Sequence, residues 1–306
     1  MKVSFIGLGV MGMGMALNLS KGKQGGKFDY LVCDINPRSL DPFKEKGLQT
    51  TTNTEDTSDS DYIFLCLQNS DIVKKVLLGE NGLLSKMKPG QTIVDCSTIS
   101  YLAVREIYEN CDEAGIEYLD CPISGQHAKS MEGTLSIMCG GKEEVFNDVK
   151  SMLEMMGTQI LYMGEAGAGQ LTKMINNCAM NICIASFSEL MPVGVKLGLE
   201  PEKLGDILMT ATGASNASKT LIPKLLKGEF EHGFSLDKAY KDMESMIEVL
   251  SKYEIPLPTF NGTMQTYQLA LQEGHRDKYK QAMVCFYEDM LGVKVREKEL
   301  QLNEDQ

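Results

Sequence analysis

A lysine and an asparagine four residues apart, Lys173 and Asn177, stand in a stretch from Gln170 to about Lys196 that carries hardly a charge. On a helix that spacing places both side chains on one face. Lys173 is the only lysine between Lys150 and Lys196. Burying an ammonium is costly and ordinarily lowers the pKa of a lysine. A lysine brought toward neutrality can give a proton to a carbonyl oxygen and take it back, which is general acid–base chemistry. Asn177 could steady the lysine or bind a substrate hydroxyl. The same spacing also fits a lysine near a helix start that carries its charge out to solvent along its alkyl stem.

A second set of residues suits a phosphate. Gly7-Leu8-Gly9-Val10-Met11-Gly12 follows an apolar run and opens a helical one. Gly7 permits a tight turn, Gly9 lets the backbone approach a pyrophosphate, and Gly12 lets the helix pack close to the sheet. The N–H groups at the helix start then face the anion. The next apolar run ends at Asp34, twenty-two residues past Gly12, where an acidic side chain accepts hydrogen bonds from the adenosine ribose hydroxyls. That carboxylate repels a 2′-phosphate, so NAD is expected over NADP, a preference that Arg38 could soften. Alternatively Asp34 only begins an Asp-Ile-Asn-Pro turn. Val10, Met11 and Leu67, the last at the end of the third apolar run, complete the candidate contacts in this part of the chain.

The elements that would position these groups are legible as patterns. Short apolar runs at Val3–Gly7, Tyr30–Asp34, Tyr62–Leu67, Thr92–Asp95, Glu117–Asp120, Leu135–Cys139 and Ile160–Met163 read as strands. Helical stretches such as Met11–Ser20, Asp71–Leu78 and Tyr101–Ala114 lie between several of them, so a mainly parallel sheet with helices on both faces is expected. After Gly164 the segments become long and helical: Gly169–Leu197, Pro201–Ala211, Leu236–Tyr253 and Thr259–Gly274. The expected fold is a Rossmann-type α/β domain over 1–163 followed by an all-α domain over 164–306. A helix apolar on most sides is a buried one, so the stretch around Lys173 is expected to be a long buried helix linking the two. The charged tail from Arg296 is expected to fray.

Composition narrows the function. The chain has 306 residues, enough for two ordinary domains, and a formal net charge of −12. Nucleic-acid binding normally shows a basic patch, so a nucleic-acid partner is not expected. An anionic ligand must be held by local donors against the overall field. The nine cysteines show no CxxC spacing and sit within apolar runs, a pattern of free thiols in a reducing cytoplasm. Three widely spaced histidines, His127, His232 and His275, argue against a zinc site, and no metal is expected. The twenty methionines read as core filling. The opening nineteen residues resemble a secretory signal until the four glycines within them are counted. No other stretch approaches an uncharged span of about 20 apolar residues, so no membrane helix is expected.

Taken in order, these motifs resemble those of the β-hydroxyacid dehydrogenase family, relatives of 3-hydroxyisobutyrate dehydrogenase and tartronate semialdehyde reductase. Gly7-Leu-Gly-Val-Met-Gly-Met-Gly-Met-Ala-Leu-Asn18-Leu is similar to the family's opening GLGxMGxxMAxNL. Asp95-Cys-Ser97-Thr98 is similar to its DxST, Asp120-Cys-Pro-Ile-Ser124-Gly125 to its DAPVSGG, and Gly133-Thr-Leu-Ser-Ile-Met-Cys-Gly-Gly141 to GTLxIMxGG. Gly167-Ala-Gly169-Gln-Leu-Thr-Lys173-Met-Ile-Asn176-Asn177 is similar to GxGxxxKxxNN, and Phe234 with Lys241-Asp242 to the F…KD element of the helical domain.

The resemblance implies that Lys173 is the catalytic residue, that Thr98 lies near the nicotinamide ribose, and that Ser124, the Gly125 backbone and Asn177 hold the carboxylate and alcohol of a small anionic hydroxy acid. Phe234 joins the substrate contacts, while Lys241 and Asp242 bind or orient the cofactor. Without the resemblance, Ser124 is an ordinary turn serine, Phe234 a core aromatic, and Lys241-Asp242 a solvated helix face. The chain departs from the family at Gln126, where a second glycine is usual, and at the His127 that follows. Gln126 adds an amide where substrates are distinguished, which points to a longer or more polar acid than 3-hydroxyisobutyrate. The resemblance also implies a homodimer or homotetramer. Two other readings remain: an imine or other carbonyl reductase on the same scaffold, whose members usually lack the lysine, and a nucleotide-binding module without turnover.

Overall fold

The computed structural model describes residues 1–231 and 233–297. His232 and most of the charged tail, residues 298–306, lie outside the described residues. The chain divides into two compact units, Met1–Lys173 and Met174–Gln306.

The first unit is an α/β fold. Its strands are β1 (Lys2–Ile6), β2 (Asp29–Cys33), β3 (Gln49–Thr51), β4 (Tyr62–Leu65), β5 (Thr92–Asp95), β6 (Glu117–Asp120), β7 (Ile123–Ser124), β8 (Leu135–Gly140) and β9 (Gly157–Gly164). Its helices are α1 (Gly12–Gln24), α2 (Asp41–Lys44), α3 (Ser70–Leu78), α4 (Tyr101–Glu113), α5 (Gln126–Glu132) and α6 (Glu143–Leu153). The strands form one sheet in the order β3-β2-β1-β4-β5-β6-β8-β7, with β9 also paired to β8. β1 to β6 run parallel. β8 runs against β6 and β7 and parallel to β9.

Alternation along the strands feeds two cores. Val3, Phe5 and Phe64 join Met15, Leu19, Val149 and Met152 from α1 and α6. Ile6, Ile63 and Leu65 point the other way, to Val73 and Leu77 of α3 and Val104 and Ile107 of α4. A parallel strand covered on both faces is apolar throughout, which is why these runs stand out in the sequence. Strand order reverses between β1 and β4, and open α/β sheets bind ligands outside the carboxyl ends of the strands at such a reversal. Neither β3 nor β7 is anticipated by the apolar pattern. At three and two residues they are too short to show a period.

The helices α7 (Ala168–Lys196), α8 (Pro201–Thr210), α9 (Asn216–Leu226), α10 (Leu236–Tyr253), α11 (Pro258–Gln272) and α12 (Val284–Leu291) follow among the described residues. The division between the units falls inside α7. In the helical unit α8 pairs with α9 and α10 with α11. Helix α10 buries Leu236, Ala239, Met243, Met246, Val249 and Leu250 at helical spacing. Glu288 and Arg296 form a buried ion pair, with Arg296 Nη2 donating to Glu288 Oε2 at 3.1 Å.

Burial of α7 is one-sided. Met174, Cys178, Asn181, Ala185 and Ser188 are buried along one stripe, while Ile175, Leu190 and Val193 are exposed on the chain. The sequence pattern alone suggests burial on most sides. Among the described residues α7 is also the one helix with the length and apolar composition to cross a membrane, and 44% of its most apolar window is buried within the chain.

Candidate active site

The glycine turn leaves β1 at the strand-order reversal. Gly7 has φ +99°, a backbone that L side chains rarely adopt, and a Cβ there would meet the Cys66 carbonyl at the end of β4. A Cβ on Gly12 would collide with the Gly7 carbonyl oxygen, so this glycine closes the turn on itself. Nothing stands within 4 Å of the Cβ position of Gly9, and Val10 is 72% exposed. The turn therefore offers open backbone at a helix N-terminus. Asp34 is tied to it: one carboxylate oxygen accepts the Leu8 N–H at 2.6 Å and the other the Asn36 N–H at 2.8 Å. Asp34 thus both starts its own turn and reaches the glycine turn.

Helix α5 clamps this turn from outside. Ser130 Oγ donates to the Met11 carbonyl at 2.6 Å, and His127 Nδ1 lies 2.9 Å from the Val10 carbonyl oxygen. Asn18 Nδ2 donates to the Ser130 carbonyl at 2.8 Å and to Gly14 at 2.9 Å. Close approach of α1 and α5 requires Gly14, where a Cβ would lie 2.6 Å from the Ser130 carbonyl carbon and Oγ. Helix α5 begins at Ser124-Gly125-Gln126. Ser124 is half-buried at the end of β7, where it pairs with Ser136. Gly125 has φ +147°. Gln126 is exposed and holds φ +61°, a conformation unusual for a residue with a side chain.

A buried polar network joins the loop after β5 to the start of α7. The Ser97 N–H donates to Asp95 at 2.9 Å, and Tyr118 Oη donates to the other oxygen of Asp95, also at 2.9 Å. Ser97 Oγ accepts the Leu67 N–H at 2.8 Å. Thr98 is exposed between the buried Ser97 and Ile99. The Gln170 side chain donates to the Ser97 carbonyl at 2.6 Å and accepts the Ile99 N–H at 3.3 Å. Asp120 caps the same end of α7, accepting the Gly167 N–H at 2.8 Å and the Gln170 N–H at 2.7 Å. An anionic cap there suits the positive end of the helix dipole. Burial pushes the Asp120 carboxyl up to about 7, against the two N–H groups, which pull it down. A Cβ on Gly169 would run into Asp120 and the Met138 carbonyl, so the glycines of this segment let α7 descend to the sheet. Lys173, half-buried, follows Gln170 by three residues, about one helical turn.

In the helical unit, Asn177 Nδ2 donates to Asp242 Oδ2 at 3.3 Å. The neighbouring Lys241 instead pairs with Asp237 at 2.9 Å, four residues back on α10. Lys241 and Arg276 both bond Asp237, and these contacts hold its carboxyl below the usual range. Phe234 is 44% exposed, with the Lys280 ammonium 5.4 Å from its ring centre. The aromatic is therefore not the core residue its type alone suggests. Of the groups named from the sequence, the glycine turn, Asp34, Leu67, Thr98 and Lys173 belong to the first unit, as do Ser124, Gly125 and Gln126. Asn18, Asp120 and Gln170 lie inside the motifs already quoted and Ser130 falls between two of them, but spacing gives no reason to single them out.

Fold and site define a Rossmann-type dinucleotide-binding protein. Residues 2–164 match the NAD binding domain of 6-phosphogluconate dehydrogenase, and residues 167–287 match the NAD-binding domain of NADP-dependent 3-hydroxyisobutyrate dehydrogenase. The chain is 34% identical to 2-(hydroxymethyl)glutarate dehydrogenase of Eubacterium barkeri, over 96% of this chain and 97% of that protein. It is 31% identical to 2-hydroxy-3-oxopropionate reductase of Escherichia coli strain K12, over 96% and 100%. Among solved structures it is similar to Mycobacterium tuberculosis 3-hydroxyisobutyrate dehydrogenase with L-serine, at a TM-score of 0.81 and 26% identity over 93% and 98% of the two chains. The chain belongs to the β-hydroxyacid dehydrogenase family and is an NAD(P)-dependent dehydrogenase of that family.

Proposed function

We propose that the protein interconverts a small 3-hydroxy carboxylic acid and its semialdehyde, using NAD and Lys173 as the acid–base group. One observation carries the reading. The helix turn that bears Lys173 is hydrogen-bonded, through Gln170, to the loop that bears Thr98 at the carboxyl edge of the sheet. The glycine turn fits a dinucleotide because Gly9 has open space where a side chain would stand. In this reading residues 1–163 hold the cofactor, through Gly7, Gly9, Val10, Met11, Gly12, Asp34, Leu67 and Thr98, and Lys241 and Asp242 assist from the helical part, 164–306.

A bound nicotinamide would supply the hydride acceptor, or donor, for the alcohol carbon. The residues of the chain do the remainder. Neutral Lys173 takes the alcohol proton during oxidation, and its ammonium returns a proton to the new alkoxide during reduction. Ser124 Oγ and the Gly125 N–H hold the substrate carboxylate, a need set by the net charge of −12. Asn177 binds the alcohol oxygen or steadies Lys173. Phe234 supplies an apolar wall, and Gln126 distinguishes among acids. Fixing both ends of a small substrate brings the reacting atoms together without a search. The Asp34 carboxylate opposes a 2′-phosphate, which supports NAD over NADP.

Nine free cysteines suit a reducing cytoplasm, and the exposed Ile175, Leu190 and Val193 of α7 suit a homodimer or homotetramer. The test is a panel of 3-hydroxyisobutyrate, 2-(hydroxymethyl)glutarate and tartronate semialdehyde with each cofactor. Turnover of at least one acid, faster with NAD than NADP, is the expected result. Quenching of NADH fluorescence with no turnover on any would leave a nucleotide-binding module.

A further inference from the structure

Four structural facts converge on one buried amide. Gln170 is 2% exposed. Its Nε2 donates to the Ser97 carbonyl at 2.6 Å and its Oε1 accepts the Ile99 N–H at 3.3 Å, so it holds the two peptide groups that flank Thr98. Its own backbone N–H is gripped by Asp120 at 2.7 Å. The loop it holds is itself fastened from below, by Asp95 to the Ser97 N–H and by Ser97 Oγ to the Leu67 N–H. A buried amide with both of its polar atoms engaged by one loop fixes that loop's position against its own helix turn, because moving either leaves buried donors and acceptors without partners.

We propose that Gln170 is a positioning residue for the reaction. It joins the loop bearing Thr98 to the helix turn bearing Lys173, so that the seat for the nicotinamide ribose and the proton-transfer group behave as one rigid piece. This rests on the assignments of Thr98 and Lys173 made above. Buried and with both side-chain polar atoms engaged, Gln170 acts through its two neighbours. Its length is part of the function: one methylene fewer cannot span from the helix to both peptide groups while Asp120 holds the backbone in place. An apolar side chain of equal size fills the space and leaves the Ser97 carbonyl and Ile99 N–H unsatisfied.

The test compares Gln170→Leu and Gln170→Asn with the parent and with Val149→Ala, a core change in α6 that lowers stability away from the site. Misplacement of a reacting group by about 1 Å costs about 100-fold in rate. Both Gln170 variants are therefore expected to lose about 10- to 100-fold in kcat while NADH affinity changes by less than about threefold. The primary deuterium isotope effect with 4-deuterated NADH is expected to rise, because hydride transfer becomes the slow step. Val149→Ala is expected to lower the melting temperature and leave kcat and the isotope effect unchanged. If Gln170→Leu does not fold, Gln170→Asn carries the same expectation alone. Gln170 variants that match Val149→Ala in kcat and isotope effect would overturn the proposal, even while Lys173→Ala is inactive. Turnover retained by Lys173→Ala would instead overturn the reading on which it rests.

Discussion

Replacing Gly14 by alanine sets two effects of opposite sign against each other. Gly14 lies within α1, and alanine in a helix interior is ordinarily worth about 1 kcal/mol over glycine. Here the added methyl would stand 2.6 Å from the Ser130 carbonyl carbon and 2.7 Å from the Met131 nitrogen, where carbon contacts settle at about 3.5–4.0 Å. Helix α5 must then retreat by roughly 1 Å. Overpacking of this kind costs about 1–3 kcal/mol. The retreat also weakens the Asn18 bond to Ser130 and the Ser130 bond to Met11, each worth about 0.5–1.5 kcal/mol. The net expectation is a loss of about 1–4 kcal/mol, seen as a melting temperature lower by several degrees.

Gly262→Ala is the matched control. Gly262 is also a helical glycine, in α11, and nothing stands within 4 Å of its Cβ position. It is expected to gain about 1 kcal/mol. Thermal unfolding of the two variants side by side decides the matter. If Gly14→Ala stabilises as Gly262→Ala does, α5 does not press on α1 and the clamp on the glycine turn is wrong.

Two further expectations follow from buried charges. Burial raises the folded-state pKa of Asp120 to about 7 from an unfolded value near 3.8. Between those pH values the folded protein binds the extra proton, so this group's contribution is full below about pH 4 and is lost as pH rises through about 7, by on the order of 4 kcal/mol. Urea midpoints of Asp120→Asn across pH 5–8 should show a shallower decline than the parent, and parallel curves would refute the linkage. In the helical unit, Arg296→Met leaves the Glu288 carboxylate, 0% exposed, without its guanidinium and should cost about 3–5 kcal/mol. Adding Glu288→Leu should restore much of that loss in the same unfolding measurement, and no recovery would show that the pair is not the cause.

The parts of this molecule that depend on local pattern were legible in its residues. Glycines at 7, 9 and 12 after an apolar run make one kind of turn wherever they occur between a strand and a helix. Strands covered on both faces, such as β4 and β5, read as apolar runs for the same reason. Helix α5 was not legible, because Gln126–Glu132 is polar and is held in place by Asn18 and the glycine turn, more than a hundred residues earlier in sequence. Gln170 and Asp120 give no signal in the sequence for a similar reason: their partners are 73 and 50 residues away, and no spacing rule links them. The stretch around Lys173 shows the limit of composition. Its scarcity of charge suggested an interior rod, yet α7 buries one stripe and leaves Ile175, Leu190 and Val193 exposed. Charge-poor sequence marks a surface that avoids water, and does not say whether this chain or another covers it.

The proton-transfer role of Lys173 is tested directly by NADH titration and turnover of Lys173→Ala with whichever acid the parent consumes. The variant is expected to quench NADH fluorescence as the parent does, to lose turnover by at least about 100-fold, as general acid–base catalysis is worth, and to regain part of it when a small primary amine is added. Turnover close to that of the parent, with no response to amine, would contradict that role.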